Sequence, residues 1–305
     1  MKIAYYLPET ELTNNQLSEI YPEWPEEKIL VKTGIASRHV TSKEETAIDL
    51  AERAAKKLFD LEHVNAQEID FLLLCTQSAE YKLPSSACLL QHRLGIPTTA
   101  GAVSFDHGCS GFIYGLSLAK GLIAGGIARK VLLVTSETYT KYIAPGDKST
   151  RTIFGDGAAA VLIDERVATK IGVFSFGTDG AGAEKLIVRD NKLFMDGPEI
   201  FNFTLDIVPK TMEDVLDKNG LTRDDIDMYV FHQANKFMLD TIRKVNALPR
   251  DKFYVNLETT GNTVSSTIPI ALKQLDESGR LQPGMKVMLM GFGVGLSWGA
   301  TIITI

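Results

Sequence analysis

Four short, mostly apolar runs, at residues 69–74, 131–134, 228–231 and 285–290, are separated by segments of helical period. This alternation restricts the chain to an α/β fold, because strand-length runs set between amphipathic helices bury their faces only in stacked layers. Each run stops at a polar or glycine-rich turn: Cys75-Thr76-Gln77-Ser78, Thr135-Ser136-Glu137, His232-Gln233-Ala234-Asn235 and Gly291-Phe292-Gly293. Functional groups of open α/β sheets gather at such carboxyl ends. Ser42 with Glu45 predicts a capping box ahead of Ala47, Leu50, Ala51, Ala54 and Leu58 on one helix face. Thr222 with Asp225 repeats that signal, and Gly220 predicts the end of a helix running from Val208.

The order helix, capped loop, buried strand occurs twice, over 42–78 and 208–235, as a pattern without residue identity. No Pro/Gly/Ser linker intervenes, so one compact unit made of two related halves is expected, 1–165 and 166–305. With 45% hydrophobic and 23% charged residues among 305, the chain can bury a large core. A net charge of −6 without clustered Lys and Arg argues against nucleic acid and anionic membrane surfaces as partners.

Cys75, Cys88 and Cys109 are too few for a disulfide framework, residues 1–8 do not read as a signal peptide, and no apolar run reaches spanning length. A cytoplasmic protein is expected. Metal-ligand and Walker spacings are absent, and no metal or bound cofactor is expected. Gly155, Gly157 and Ala160 fit a dinucleotide fingerprint literally, yet residues 160–163 read as strand where a phosphate-cradling helix is required.

Cys109 lies in Asp106-His107-Gly108-Cys109-Ser110-Gly111-Phe112, ahead of a long helix of small and apolar residues that reads as buried. A thiol at a helix N-terminus feels the positive end of the dipole, which predicts thiolate, the form that attacks carbonyl carbon. A lone cysteine is more often a small buried hydrophobe, and acyl chemistry needs polar partners. His232, directly after a strand, and Asn262, in the turn Thr260-Gly261-Asn262-Thr263, supply candidates. Singly each has an ordinary structural explanation; together with Cys109 they point to a nucleophilic site. His107 is the other histidine of interest, since an imidazolium near Cys109 would favour thiolate, with a purely structural role as the alternative. His63 and His92 fall in polar segments, and His39 in the Arg38-His39 loop.

Cys109-Ser110-Gly111-Phe112, Phe154-Gly155-Asp156-Gly157-Ala158, His232-Gln233-Ala234-Asn235, Gly261-Asn262-Thr263 and Gly291-Phe292-Gly293-Val294-Gly295-Leu296-Ser297-Trp298-Gly299 together resemble the β-ketoacyl-acyl carrier protein synthase III family, a branch of the thiolase superfamily. Thr33-Gly34-Ile35, Arg38-His39 and Pro84-Ser85-Ser86-Ala87-Cys88 extend the resemblance over essentially the whole chain. It implies a five-layered αβαβα thiolase-like fold built from two pseudo-repeated halves, a homodimer, and decarboxylative Claisen condensation of an acyl thioester with malonyl-acyl carrier protein. Cys109 would hold the acyl group, His232 and Asn262 would hydrogen-bond the malonyl thioester carbonyl, and the backbone N–H groups of Cys109 and Val294 would form the oxyanion hole. Leu83, Phe154, Phe237, Gly293 and Gly295 would contact substrate. Acyl carrier protein and acyl-coenzyme A enter as partners carrying substrate thioesters, not as cofactors.

The chain also departs from the family pattern. Lys28 and Lys32 stand where coenzyme A-primed relatives carry Trp and Arg, and Phe237 stands where they often carry Arg. The primer's carrier, coenzyme A or carrier protein, therefore stays open. Val294 replaces a usual glycine, and Leu83 takes the place of the residue that reaches across the dimer and limits acyl length, consistent with a medium or branched acyl group. A local carrier-protein patch among Lys210, Arg243, Lys244, Arg250 and Lys252 is weighed against a plain solvated face. Two further functions are carried: a thiolase-fold acyltransferase acting on an alcohol or amine, and a non-catalytic partner subunit, against which retention of Cys109, His232 and Asn262 argues.

Overall fold

The computed structural model describes residues Met1–Ile305. Five strands, β1 (Lys2–Tyr6), β2 (Phe71–Cys75), β3 (Gly101–Phe105), β4 (Lys130–Glu137) and β5 (Gly157–Asp164), form one sheet in the order β1-β5-β4-β2-β3. Four more, β6 (Ile171–Thr178), β7 (Met228–Phe231), β8 (Lys286–Gly293) and β9 (Ser297–Thr304), form a second in the order β7-β8-β9-β6. The principal helices are α1 (Ala47–Glu62), α2 (Ser86–Arg93), α3 (Gly111–Ala124), α4 (Gly197–Asn219), α5 (Lys236–Val245) and α6 (Thr267–Glu277). No helix is long and apolar enough to cross a membrane.

Side chains alternate across each strand, so a strand that is apolar at every position feeds two cores. In β4, Leu132 and Val134 join α1 and α2 on the outer face, while Val131 and Leu133 pack inward against α3 and α6. In β8, Val287 and Leu289 face the same central helices, and Met288, Met290 and Phe292 face α4 and α5. The result is five layers: α1/α2, first sheet, α3/α6, second sheet, α4/α5. The two sheets share one strand order. With the isolated parallel bridge Tyr229–Phe253 standing for β3, the sequence β3-β2-β4-β5-β1 repeats as Phe253-β7-β8-β9-β6, with parallel and antiparallel pairs at matching places.

The helix after Cys109 keeps Gly111 and Gly115 despite their cost in helix propensity, because it lies very close to the first sheet there. A Cβ at Gly111 would come 2.4 Å from Cys75 Sγ, and one at Gly115 would come 2.5 Å from a Leu133 methyl. That helix is not buried all round as its composition predicts: Leu118 is 45% exposed. The expected Ser42–Glu45 cap also moves. Thr46 caps α1, donating its N–H to Asp49 at 2.7 Å and accepting the Asp49 N–H at 3.3 Å, while Ser42 accepts the Glu45 N–H at 3.2 Å one turn earlier. The cap must directly precede the first helical residue, and Ala47 sets that position. Thr222 and Asp225 close their box over one 3₁₀ turn, and Gly220, at φ 62°, ends α4, which begins well ahead of Val208 and runs through Pro209.

Candidate active site

The three candidate groups come from chain segments distant in sequence and meet at the carboxyl ends of the sheets. Cys109 sits in the turn between β3 and α3, just before the N-cap Ser110, whose hydroxyl shares a 2.8 Å bond with Ser297. The end of β8 lies flat against this turn: a Cβ on Gly291 would stand 2.6 Å from the Cys109 carbonyl oxygen, and one on Gly293 would stand 3.1 Å from Sγ. Glycine is required there because backbone must reach the nucleophile. The N–H groups of Cys109 and Val294 donate to no other residue, that of Cys109 facing its own sulfur, so both can serve as donors for a developing oxyanion.

His232 follows β7, and its N–H donates to Met290 O at 2.8 Å, extending the ladder to the ring-bearing residue. Its Nδ1 lies 2.7 Å from Thr267 Oγ1, and the ring meets Phe292 edge-on. Asn262 is stitched to the Phe154 loop through Asn262 N–H to Ile153 O at 2.9 Å and Gly155 N–H to Asn262 O at 3.0 Å. Its Oδ1 accepts the Val264 N–H at 2.9 Å, so the carboxamide orientation is set and the NH₂ is left to donate into the site. Gly261, at φ 63° with Arg38 Cβ 3.0 Å from any Cβ it might carry, makes that turn possible. Cys109, His232 and Asn262 are each at most 5% exposed and line one chamber of about 120 Å³ with Phe154, Phe292 and Gly293.

Burial opposes the thiolate that the helix dipole alone favours at Cys109. Burial pushes the thiol up to about 12, with the Glu137 carboxylate adding to the rise, and this outweighs the helix dipole, which a closed chamber does not supplement with water. Burial likewise holds His232 down to about 3, a neutral imidazole able to take a proton. Partial burial lowers the His107 pKa, which disfavours an imidazolium beside Cys109, and its ring lies tilted against Tyr114 with centroids 4.2 Å apart, within an aromatic row that continues to Phe176. The thiolate is then a minor species at pH 7, its share growing about tenfold per pH unit. Iodoacetamide modification of the Cys109 peptide, followed by mass spectrometry, is expected to climb in that proportion from pH 7, less steeply above pH 8 where Glu137, itself raised to about 8, becomes charged. A rate already level at pH 7 would mean a preformed thiolate.

The remaining sequence candidates distribute around this chamber. Phe154 and Gly293 line it, while Val294 and Gly295 line an adjoining cavity of about 330 Å³ with Gln77, Tyr139 and Leu193, the two spaces sharing Leu186. Phe237, 63% exposed, lies on an outer cavity of about 690 Å³ that shares Ile153, Met195, Gly197 and Asn235 with the chamber. Leu83 is 82% exposed and touches none of these spaces within its own chain.

Lys28 and Lys32 sit with their ammonium groups 5.2 Å from the Trp24 ring centroid at the outer cavity, and Lys148 6.0 Å from it. In the second basic group, Lys210 pairs with Asp206, while Arg243 and Lys252 donate to backbone carbonyls, leaving Lys244 and Arg250 exposed. Asp156 of the glycine-rich loop accepts from Thr41 and Thr140, and β5 follows it, so the loop is structural.

Sequence reasoning missed Glu137, which accepts from Gln77 N–H at 3.1 Å, Ser78 at 2.9 Å and Ser265 at 3.1 Å and so ties the β2 turn to the Asn262 loop. It also missed the Tyr139–Gln77 pair and Thr267. Glu137 ended a strand at a polar turn, a usable signal; nothing local marked Thr267.

The 3-oxoacyl-[acyl-carrier-protein (ACP)] synthase III family matches residues 105–180, and its C-terminal portion matches 216–305. The chain is 36% identical to β-ketoacyl-[acyl-carrier-protein] synthase III 1 of Bacillus cereus over 303 residues, covering 99% of this chain and 96% of that protein. Among solved structures, a 3-oxoacyl-(acyl-carrier-protein) synthase III superposes with a TM-score of 0.96 at 49% identity, covering 99% and 98% of the two chains. The β-ketoacyl-[acyl carrier protein] synthase III of Thermus thermophilus gives 0.92 at 34% identity with the same coverage.

Proposed function

Because the chain belongs to the 3-oxoacyl-[acyl-carrier-protein (ACP)] synthase III family and has its thiolase-like fold, we propose a decarboxylative condensing enzyme of fatty acid biosynthesis whose reaction runs on Cys109, His232 and Asn262. The observation that carries this reading is the shared buried chamber of those three side chains, with the Gly293 backbone laid against the sulfur. In the first half-reaction Cys109 sulfur attacks an acyl thioester. The S–H proton passes to His232 and on to the departing thiolate, which leaves as thiol, while the Cys109 and Val294 N–H groups hold the oxyanion. In the second, malonyl-acyl carrier protein enters, its thioester carbonyl accepts from the Asn262 amide beside His232, carbon dioxide leaves, and the enolate carbon attacks acyl-Cys109 to give a β-ketoacyl thioester, expelling the Cys109 thiolate, which takes a proton from solvent to restore the thiol.

The outer cavity is the proposed entry for the phosphopantetheine arm, with Lys28, Lys32 and Lys148 beside Trp24 placed to meet its phosphate. Phe237 offers no charge at this mouth, so the grip on the carrier falls to those lysines. The 330 Å³ cavity past Leu186 is the proposed acyl site. A homodimer fits the open edge of β3, where Val103 is 46% exposed, and it would give Leu83 a partner's pocket to enter. Three free cysteines suit a cytoplasmic setting.

The test is intact-protein mass spectrometry of the chain against acyl-coenzyme A and acyl-carrier protein donors, followed by malonyl-carrier protein. A covalent acyl adduct, then carbon dioxide and β-ketoacyl product, is expected. Adduct without decarboxylation would instead indicate transfer to another nucleophile, and no adduct from any donor would leave a non-catalytic subunit.

A further inference from the structure

Thr267 opens α6 and is 3% exposed, and its hydroxyl touches two groups: His232 Nδ1 at 2.7 Å and the Val264 carbonyl oxygen at 3.1 Å. A hydroxyl has one proton to give. If it were given to Nδ1, the 3.1 Å contact would set two acceptor oxygens against each other. If it goes to Val264 O, both contacts are hydrogen bonds, in the chain Nδ1–H to Thr267 to Val264 O, and such chains reinforce one another. We infer that Thr267 is a positioning residue that holds His232 in the Nδ1–H tautomer, so that Nε2 presents a lone pair to the Cys109 S–H.

Val264 makes this a joint device. It is a β-branched residue at φ 55°, an uncommon and strained conformation that persists where the surroundings dictate it. In that conformation its N–H holds Asn262 Oδ1 while its carbonyl takes both the N–H and the hydroxyl of Thr267. One residue therefore orients the carboxamide on one side and, through Thr267, the imidazole on the other. The two groups are left with distinct duties. Nε2, carrying a lone pair, is the base of acyl loading, and the Asn262 NH₂ is the standing N–H donor for the malonyl enolate.

This rests on the proposed condensing reaction and has its own test. Thr267→Val keeps the shape and removes the hydroxyl, freeing the imidazole to carry its proton on Nε2. Its acyl loading, followed by rapid quench and intact mass, is expected to fall about 100-fold, the scale of a lost general base. Carbon dioxide release from malonyl-carrier protein by protein that has already been acylated is expected to stay within about threefold, and Thr267→Ser is expected to restore loading. The ¹⁵N spectrum of histidine-labelled wild-type protein, with His232 assigned by the signal missing in His232→Asn, is expected to show a protonated Nδ1.

An unprotonated Nδ1 in wild-type protein that loads acyl groups overturns this inference alone, as does an equal fall of both half-reactions in Thr267→Val. Failure of wild-type protein to load from any donor overturns the condensing reaction itself.

Discussion

Cys109→Ala is expected to abolish acyl loading, with no mass increase from any acyl donor and condensation lowered about 10⁴-fold or more, since no other group can form the thioester intermediate. Cys75 is not a substitute: burial and Glu137 raise its pKa far above the usual thiol value, and its sulfur is committed to the His107 carbonyl at 2.8 Å. The alanine methyl occupies the position of the existing Cβ against Gly293, so the fold has no reason to move and the melting temperature should be nearly unchanged. An adduct that persists in this variant would place the nucleophile elsewhere and sink the assignment.

Asn262 variants carry the second large effect, because they separate the half-reactions. Asn262→Asp preserves an acceptor for the Val264 N–H and hence the turn, yet offers no N–H to the malonyl carbonyl. Decarboxylation by the acylated protein should fall about 100- to 1,000-fold, the usual loss for one preorganised donor, while loading of Cys109 changes far less. Asn262→Ala should show the same kinetic loss together with a lower melting temperature, since the Val264 N–H is then buried without a partner. Decarboxylation at the wild-type rate in Asn262→Asp would transfer the donor role to His232 and revise both the mechanism and the Thr267 device.

The site also explains why a cysteine at a helix N-terminus is not automatically a thiolate. The dipole acts over one turn and is worth of order 1 kcal/mol, whereas burial between α3, β8 and the Asn262 loop desolvates the sulfur and acts against the charged form. The proposed reaction then runs through a neutral thiol and a neutral imidazole that exchange a proton during attack.

What could be read without coordinates was whatever short-range pattern encodes. The alternation of strand-length runs with helical segments gave the α/β class, β7 was delimited at its exact residues, Gly220 ended its helix, and the motifs around Cys109, His232 and Asn262 named the family. Errors arose where several local signals compete within a few residues, as with Ser42 and Thr46, or where the neighbours of a face were unknown, as with Leu118.

Only the folded chain decided the rest. The gathering of Cys109 with two groups more than a hundred residues away follows from the order in which strands pair, and the ionisation of thiol and imidazole follows from how completely those layers exclude water. Thr267 and Glu137 gained their roles in the same way, from partners that no spacing announces. Periodicity and motif are properties of a few consecutive residues, while burial and long-range hydrogen bonding belong to the whole packed assembly.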